Sequence, residues 1–327
     1  MQRIPRDRAM VYEFDRRIPP AVRVQPGEAF AIETEDAESG RLGSADPLTY
    51  PESPPQAPGI PPRYNPVGGP VYVEGAEPGD LLAVRIERIA VGPLGWTRIH
   101  PGSGPLGDSV AWAEAATPGT HLLRHLPGPS GTLRDGRVMH NERFSWPLAP
   151  FIGTIGTAPE REVETTLVGQ GPWGGNMDCR DVAEGSTALL NCYCPGGLLF
   201  VGDVHGSQAD TEFTGTANET RAEVTLRCEV VKGKQIPFVR IVKPNAIVSV
   251  ACGRPLEDVV HQAIVNLMAW MVDEYDVPPR DAYMLTAVCP GMRVNVYQMV
   301  KLGRIGFTAG AEFPLDLLGA NRAARER

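Results

Sequence analysis

"GPVYVEGAEPGDLLAVRIERIAV", which spans Gly69–Val91, decides the fold class of this 327-residue chain. Apolar side chains recur at every second position on both sides of a turn at Gly79 and Asp80. Because successive side chains of a strand point to opposite faces, this period predicts two strands joined by that turn. The alternating apolar residues are Val71, Val73, Leu82, Val84 and Ile86.

The same pattern continues on either side of this stretch. "PAVRVQPGEAFAIETE" (residues 20–35) predicts a hairpin-like pair of strands, and "PFIGTIGTAPE", "AEVTLRCEVVKG" and "VRIVKPNAIVSVAC" read as further strands. The 36 glycines and 32 prolines fall between short apolar runs, which is typical of the many turns in a mainly β protein. Residues 92–135 are expected to be rich in loops. The proline-rich residues 40–68 predict a linker or surface loop, with a lid or a subunit contact as the alternative.

One segment has helical periodicity instead. "RPLEDVVHQAIVNLMAWMVDEYDVPP" (residues 254–279) carries apolar residues at helical spacing, early acids that favour the helix dipole, and two closing prolines. We predict one long helix near residues 255–275. "PRDAYMLTAV" predicts a second, short helix, and "RVNVYQMV" a returning strand.

Composition and charge exclude some classes of function. The formal charge of −8 argues against nucleic acid as a partner, because no basic excess is present to neutralise phosphates. No apolar run approaches the length of a membrane span, and the first residues lack the apolar core of a signal peptide. The six cysteines form no C-x-x-C pair and read as reduced thiols. We therefore expect a cytoplasmic protein with no nucleic-acid and no membrane partner.

A first candidate site follows an apolar run, in "VGDVHGSQADTEFTG" (residues 201–215). Alternation along an extended chain places Asp203 and His205 on one side, and the same argument pairs Asp210 with Glu212 after the turn. An imidazole and carboxylates on one face can bind a divalent ion or perform general acid–base chemistry. The structural alternative is a carboxylate that orients a histidine, with surface acids nearby.

Two weaker clusters accompany it. In "GPWGGNMDCRDVAEGSTALLNCY", Asn176 and Asp178 alternate to one face behind two glycines, although a glycine-rich turn with an Asx cap explains this pattern as well. "AIETEDA" brings several acids, including Asp36, to a strand end, where a solvated edge is the ordinary reading. No G-x-S-x-G elbow, phosphate loop or dinucleotide fingerprint is present, and a buried structural role is the commoner reading for Cys192 and Cys194.

Four ordered blocks resemble the acetamidase/formamidase family. They are "NPVGGPVYVEGAEPGDLLAVRI", "PFIGTIGTAP", "GGNMDCRDVAEGSTALLNCYCPGGLLFVGDVHGSQADTEFTGTANET" and "DAYMLTAV". The family's GGNMD motif falls on Gly174–Asp178, its GD-x-H on Gly202–His205, its Q-x-D-x-E on Gln208–Glu212 and its E-x-x-D-A on Glu33–Ala37. The resemblance implies hydrolysis of short linear amides to a carboxylate and ammonia, with a divalent metal, zinc in particular.

The resemblance also implies a fold. We expect a mainly β protein with a β-sandwich or barrel-like core and a small α+β insertion that contains the long helix near residues 255–275. Residues 1–165 would form an N-terminal β-sandwich region with long Pro/Gly-rich loops. Residues 166–327 would form a C-terminal β region that carries the NMD and GDVH motifs and the helix.

These clusters give a specific hypothesis for the site. We predict a divalent metal, zinc first and calcium as the alternative, with four protein ligands. A carboxylate, Glu212 first and Asp210 next, would take a proton from water and return it to the leaving nitrogen. Asn176 would orient the amide or stabilise the oxyanion. The predicted ligands are Asp36, Asp178, Asp203 and His205.

Departures from the family pattern leave other functions open. Thr211 stands where the family has a glycine between the acids, and "CPGMRVNVYQMV" replaces a stretch that often carries an acid. The substrate could therefore be a larger amide, a carbamate or a urea-like compound. A non-catalytic β-sandwich binding module is the alternative from another class. A homo-oligomer, a dimer or higher, is expected because of the exposed loops and strand edges.

Overall fold

The computed structural model describes residues 1–8, 10–40, 63–107, 109 and 111–319. Most of the predicted proline-rich loop at 40–68 lies outside the described residues. The described part contains twenty strands and two α-helices, which confirms the mainly β fold class. The helices are α1 (Leu256–Tyr275) and α2 (Pro279–Val288), and "RVNVYQMV" does form a strand, Arg293–Gln298.

The strands are, in chain order, β1 Gln2–Ile4, β2 Glu13–Phe14, β3 Val22–Val24, β4 Ala29–Thr34, β5 Val67–Val73, β6 Leu81–Ile99, β7 Gly119–Leu126, β8 Arg137–Met139, β9 Ser145–Pro147, β10 Phe151–Thr157, β11 Glu164–Thr165, β12 Gln170–Gly171, β13 Gly174–Asn176, β14 Thr187–Asn191, β15 Leu199–His205, β16 Glu219–Val231, β17 Arg240–Val242, β18 Ala246–Gly253, β19 Arg293–Gln298 and β20 Phe307–Pro314.

Eighteen of these strands join in one curled, mostly antiparallel sheet, and β2 pairs with β11 in a small second sheet. The opening stretch supplies β5 and β6, and β6 pairs with both β14 and β16. Strands before and after residue 165 therefore pair directly with one another. The parallel pairs are β1 with β4 and β3 with β5.

Two expectations about loops and hairpins need correction. The region 92–135 is less loop-rich than predicted, because β6 runs on to Ile99 and pairs with β7, Gly119–Leu126. The predicted strands within residues 20–35 both exist, but β3 pairs with β5, and β4 pairs with β1 and β16. Local alternation marks the strands correctly, whereas their partners depend on distant parts of the chain.

The two largest apolar cores among the described residues hold the sheet and the helices together. The larger core collects inward-facing side chains from the sheet, among them Ile32, Val84, Val201 and Val224. The second core lies between α1 and the strands β18 and β20, and Trp270 is fully buried in it. In the described part of the chain, no helix combines the length and the apolar character that a membrane crossing requires.

Candidate metal and catalytic site

Strand β15 carries the centre of the candidate site. All seven of its residues are buried, and it ends at His205, which pairs with Glu219 at the start of β16. On its other side β15 pairs with β10, which brings Thr154 next to Gly202. The loop after β13 crosses Gly153 of β10, because the backbone N–H groups of Met177 and Asp178 both donate to the Gly153 carbonyl oxygen. These crossings bring three distant segments together.

Five buried titratable side chains meet there, four carboxyl groups and one imidazole. The Nε2 atom of His205 lies 3.2 Å from Glu219 Oε2, 3.4 Å from Asp203 Oδ1 and 3.9 Å from Asp178 Oδ1. Two overlapping groups have ligand atoms within 4.8 Å of one another, as a metal site requires. We call these five residues the acid–histidine cluster: Asp178, Asp203, His205, Glu212 and Glu219.

The opposite nitrogen of His205 fixes the orientation of its ring. Gln208 donates through Nε2 to the carbonyl oxygens of Asp178 and Tyr297, so its Oε1 faces His205 Nδ1 at 2.9 Å as an acceptor. The Nδ1–H group of His205 therefore donates to Gln208. This leaves Nε2 directed at the carboxylates, the arrangement expected of a metal-ligating histidine with an oriented ring.

Hydrogen bonds also hold the two aspartates. Gln298 Nε2 donates to Asp178 Oδ2 at 2.5 Å, and Thr154 Oγ1 lies 3.1 Å from Asp203 Oδ2. Three of the acids occupy left-handed backbone conformations, with φ of 48° at Asp178, 54° at Asp203 and 47° at Glu212. Such conformations cost about 1–3 kcal/mol each for most side chains and concentrate at functional sites.

Burial dominates the electrostatics of the cluster. Burial raises the pKa of Asp178 to about 7, helped by the charge of Asp203, and it raises the pKa of Glu212 and of Glu219. Burial disfavours the charged form of His205, but the carboxylates of Glu219 and Asp203 outweigh this and raise its pKa well above the ordinary value. Burial likewise opposes ionisation of Asp203, yet His205 holds the Asp203 pKa below its usual range.

The donor set fits a divalent cation. The oxygens Asp178 Oδ1 and Glu212 Oε2 are buried and have no hydrogen-bond partner among the described residues, and Glu219 Oε2 has the imidazole of His205 3.2 Å away. Unpaired buried carboxylate oxygens are costly, and a cation placed among them would relieve both the missing contacts and the excess of negative charge. The imidazole nitrogen suits zinc better than calcium, since calcium takes oxygen ligands.

The cluster opens into a cavity of about 450 Å³. Asn176, Asp178, Asp203, His205, Glu212 and Glu219 all contribute to its wall, together with the apolar residues Leu167, Val300, Leu302 and Ile305. A buried ion pair between Arg98 and Glu38 lies at the same cavity. A volume of this size is ordinary for a small-molecule site.

The structure brings together most, but not all, of the residues predicted from the sequence. Asp178, Asp203, His205 and Glu212 belong to the cluster. Asn176 lines the cavity, but its side chain already donates to the Leu167 carbonyl oxygen and has Thr154 Oγ1 at 3.2 Å from its Oδ1.

Two predicted residues lie elsewhere. Asp210 is exposed and pairs with Arg180, so it does not share a face with the buried Glu212. The two acids fall in a short 3₁₀ turn, Asp210–Glu212, rather than in extended chain, which is why alternation fails there. Asp36 is buried, but its Oδ1 accepts hydrogen bonds from the N–H groups of Glu38 and Gly40, and it does not belong to the cluster.

Sequence reasoning missed one member of the cluster, Glu219. It is 2% exposed and begins β16, immediately before the alternating run "TRAEVTLRCEVV". An acid at the start of a buried strand was the available signal. Cys192 and Cys194 are buried free thiols, and burial raises the pKa of Cys192 to about 12, which agrees with a structural role for them.

The fold and the site together define a mainly β protein with a buried, metal-compatible acid–histidine cluster at the floor of a small-molecule cavity. A profile of the Acetamidase/Formamidase family matches residues 5–170 and 165–249. The chain belongs to the acetamidase/formamidase family, which confirms the resemblance read from its motifs.

Solved structures and curated relatives agree. An acetamidase from Bacillus halodurans superposes with a TM-score of 0.81 at 30% identity, over 96% of this chain and 98% of that one. An acetamidase from Yersinia enterocolitica gives a TM-score of 0.84 at 28% identity, over 97% and 93% of the two chains. The acetamidase of Mycolicibacterium smegmatis is 28% identical over 270 residues, 66% of this chain. The chain spans 64% of the length of that relative, just under two thirds.

Proposed function

We propose that this protein hydrolyses the carbon–nitrogen bond of a linear, non-peptide amide and releases a carboxylate and ammonia. The observation that carries the proposal is the acid–histidine cluster, buried and yet exposed to a cavity of small-molecule size. Membership of a family whose named relatives include acetamidases and a formamidase supports the choice of amide. Formamide and acetamide are the first substrates to test.

The activity is proposed to depend on a divalent metal, zinc first and calcium as the alternative. Asp178, Asp203, His205 and Glu219 would hold the ion, and Glu212 lies within reach of the same centre. When bound, such an ion would polarise the substrate carbonyl and lower the pKa of water. Asp36, which the sequence suggested as a ligand, is left out because it lies outside the cluster.

Glu212 is proposed to transfer a proton from the attacking water to the leaving nitrogen. Its carboxyl group is buried at the cavity wall, and burial raises its pKa, as is typical of carboxyl groups that act as general acids and bases. It would take the proton of the attacking water and deliver it to the departing nitrogen. Gln208 and Thr154 hold His205 and Asp203 in place, so the site needs little rearrangement during the reaction.

A larger substrate is the second candidate, and the cavity itself favours it. A volume of about 450 Å³ exceeds what a one- or two-carbon amide fills, and much of the wall is apolar. Leu167, Val300, Leu302 and Ile305 would face the acyl portion of such an amide. Hydrolysis of a carbamate or of a urea-like compound would use the same chemistry.

Metal analysis combined with an ammonia assay tests these proposals. The purified protein is expected to contain about one equivalent of metal or more, and to release ammonia from formamide, acetamide or longer amides until a chelator is added. A rise in kcat/KM with acyl length would select the larger substrate. Amide binding without turnover by the metal-loaded protein would instead support a binding module.

We also propose a homo-oligomer and a cytoplasmic location. Helix α2 exposes Tyr283 and Val288, which are 70% and 73% accessible, and a second copy of the chain would cover such side chains. Light scattering on the purified protein decides between a monomer and a dimer or higher assembly. The six free cysteines agree with a reducing compartment.

A further inference from the structure

Two buried polar atoms in the cavity wall lack partners and are not explained by a metal site. One is the indole Nε1 of Trp96, and the other is the side-chain Oδ1 of Asn65; neither has a hydrogen-bond partner among the described residues. Trp96 is 4% exposed and Asn65 is 1% exposed, and both line the cavity. A buried polar atom without a partner is unusual enough to need a physical reason.

Trp96 lies beside the acid–histidine cluster. It stands directly opposite Glu219 where β6 pairs with β16, and directly opposite residues of an antiparallel pair point to the same face with Cβ atoms about 5 Å apart. The Arg98 guanidinium lies 5.3 Å from the centre of the Trp96 ring, and its Nε donates to Thr120. The indole is therefore held in place next to Glu219 with its N–H unused.

Asn65 is linked to the cluster through the hydroxyl group of Thr154. Its Nδ2 donates to the Thr166 carbonyl oxygen at 3.0 Å and to Thr154 Oγ1 at 3.1 Å, and Thr154 in turn contacts Asp203. A carbonyl oxygen can only accept, so the contact with Thr166 fixes which end of the Asn65 amide is nitrogen. Oδ1 is therefore an acceptor whose orientation is determined.

We propose that Trp96 and Asn65 bind the carboxamide group of the substrate, with the indole N–H donating to the carbonyl oxygen and Asn65 Oδ1 accepting from the amide nitrogen. This inference rests on the proposed amide substrate. A primary amide presents one strong acceptor and one strong donor, which match the unused donor and the unused acceptor. The pair selects for amides that keep an N–H group.

Trp96→Phe tests the donor, because phenylalanine keeps an aromatic ring and loses the N–H; it also loses ring volume, so the control must lose the same volume. Trp270→Phe is the matched control, because it loses the same volume and its Nε1 is also buried without a partner among the described residues, but Trp270 belongs to α1 and packs in the second core. Amide binding is measured by ligand-observed NMR, and turnover by ammonia release. Trp96→Phe is expected to lower kcat/KM about 100-fold and to weaken acetamide binding, whereas Trp270→Phe keeps both.

The two readouts separate this inference from the proposed function. Suppose that acetamide binds the wild type and not Trp96→Phe, while neither protein releases ammonia. That result would support the carboxamide-binding role of Trp96 and refute the proposed hydrolysis. If the wild type releases ammonia and Trp96→Phe binds and turns over acetamide equally well, the role of Trp96 is overturned.

Substrate variation tests Asn65 without changing the protein. Propionamide and N,N-dimethylpropionamide share an acyl group, but the second has no N–H to offer. We expect the dimethyl compound to bind at least about tenfold more weakly, because Asn65 Oδ1 stays unpaired. Equal binding of the two compounds would refute the role of Asn65 as the acceptor for the amide N–H.

Discussion

At the scale of the residue, two acids that are adjacent in the motif have opposite environments. Glu212 is buried in the acid–histidine cluster, and Asp210 is exposed beside Arg180. Alternation along the chain could not separate them, because a turn, not a strand, carries both. Their environments, and not their positions in the motif, assign the chemistry.

Conservative variants of these two acids should therefore behave differently. Glu212→Gln is expected to lower kcat about 10²- to 10⁴-fold, the usual contribution of a general acid–base group. Asp210→Asn should stay within about twofold of the wild type, because an exposed ion pair contributes little. Steady-state ammonia release measures both, with metal content as the control. Equal losses in the two variants would refute the assignment.

Asp36 provides a second prediction at this scale. Burial raises its pKa from 3.8 to about 6. A carboxyl whose pKa is raised on folding contributes stability below pH 3.8, and this contribution is lost as the pH rises through 6. Asp36→Asn can still accept the backbone hydrogen bonds and avoids this loss, so its stability should fall less between pH 4 and 7.

Denaturant unfolding at several pH values measures the effect. The gain of Asp36→Asn over the wild type at pH 7 is expected to be at most roughly 3 kcal/mol, from a shift of about two pKa units. Bound metal should be unchanged. Loss of metal from Asp36→Asn would instead support Asp36 as a metal ligand, as its motif suggested.

At the scale of the element, a glycine on β10, the antiparallel neighbour of β15, makes room for the cluster. A Cβ atom on Gly153 of β10 would lie 2.7 Å from Asp178 Oδ1, 2.8 Å from the Asp203 carbonyl oxygen and 2.9 Å from Asp203 Oδ2. These distances are shorter than any ordinary contact. The absence of a side chain at this one position lets two aspartates approach from different segments.

Gly153→Ala should therefore damage the site through packing alone. We expect destabilisation of about 1–3 kcal/mol, together with loss of metal and activity. Gly119→Ala at the start of β7 is the control, because a Cβ there meets nothing within 4 Å. Thermal unfolding and metal analysis test the pair. A Gly153→Ala protein with full metal content would show that the aspartates can move apart without cost.

The helices and strands also show how much of the secondary structure the local sequence pattern predicts. The helical period located α1 and α2 well, since 3.6-residue periodicity and terminal prolines are local signals. Alternation found β3, β4 and the start of β6. It could not show that β6 continues to Ile99, because residues 92–99, "GPLGWTRI", contain a proline and two glycines that mimic a loop. Trp96 was overlooked for that reason.

At the scale of the whole molecule, strands from residues 1–165 and from residues 166–327 pair within one sheet. β6 pairs along its length with β16, and β5 pairs with β15. Separating residues 1–165 from 166–327 would expose the buried side chains of both partners to water. The two predicted regions depend on each other for their cores.

We therefore predict one cooperative unfolding transition. Far-UV circular dichroism and tryptophan fluorescence should give coincident denaturant curves, because strands from both halves of the chain share one sheet and one core. The test is best made on protein with its metal content measured, since a bound ion raises the midpoint by mass action. Two separated transitions would support the two-region organisation read from the sequence.

The sequence by itself determined the mainly β class, the two helices and the family, and it named four of the residues that meet in the buried cluster: Asp178, Asp203, His205 and Glu212. These follow from periodicity and from motifs, which are local properties of the chain. Only the tertiary structure added Glu219 to the cluster, placed Trp96 in the cavity wall, set Asp36 and Asp210 apart, and gave the cavity its size. The physical reason is that burial, and contact between residues far apart in the chain, depend on strand pairing, which no short stretch of sequence specifies.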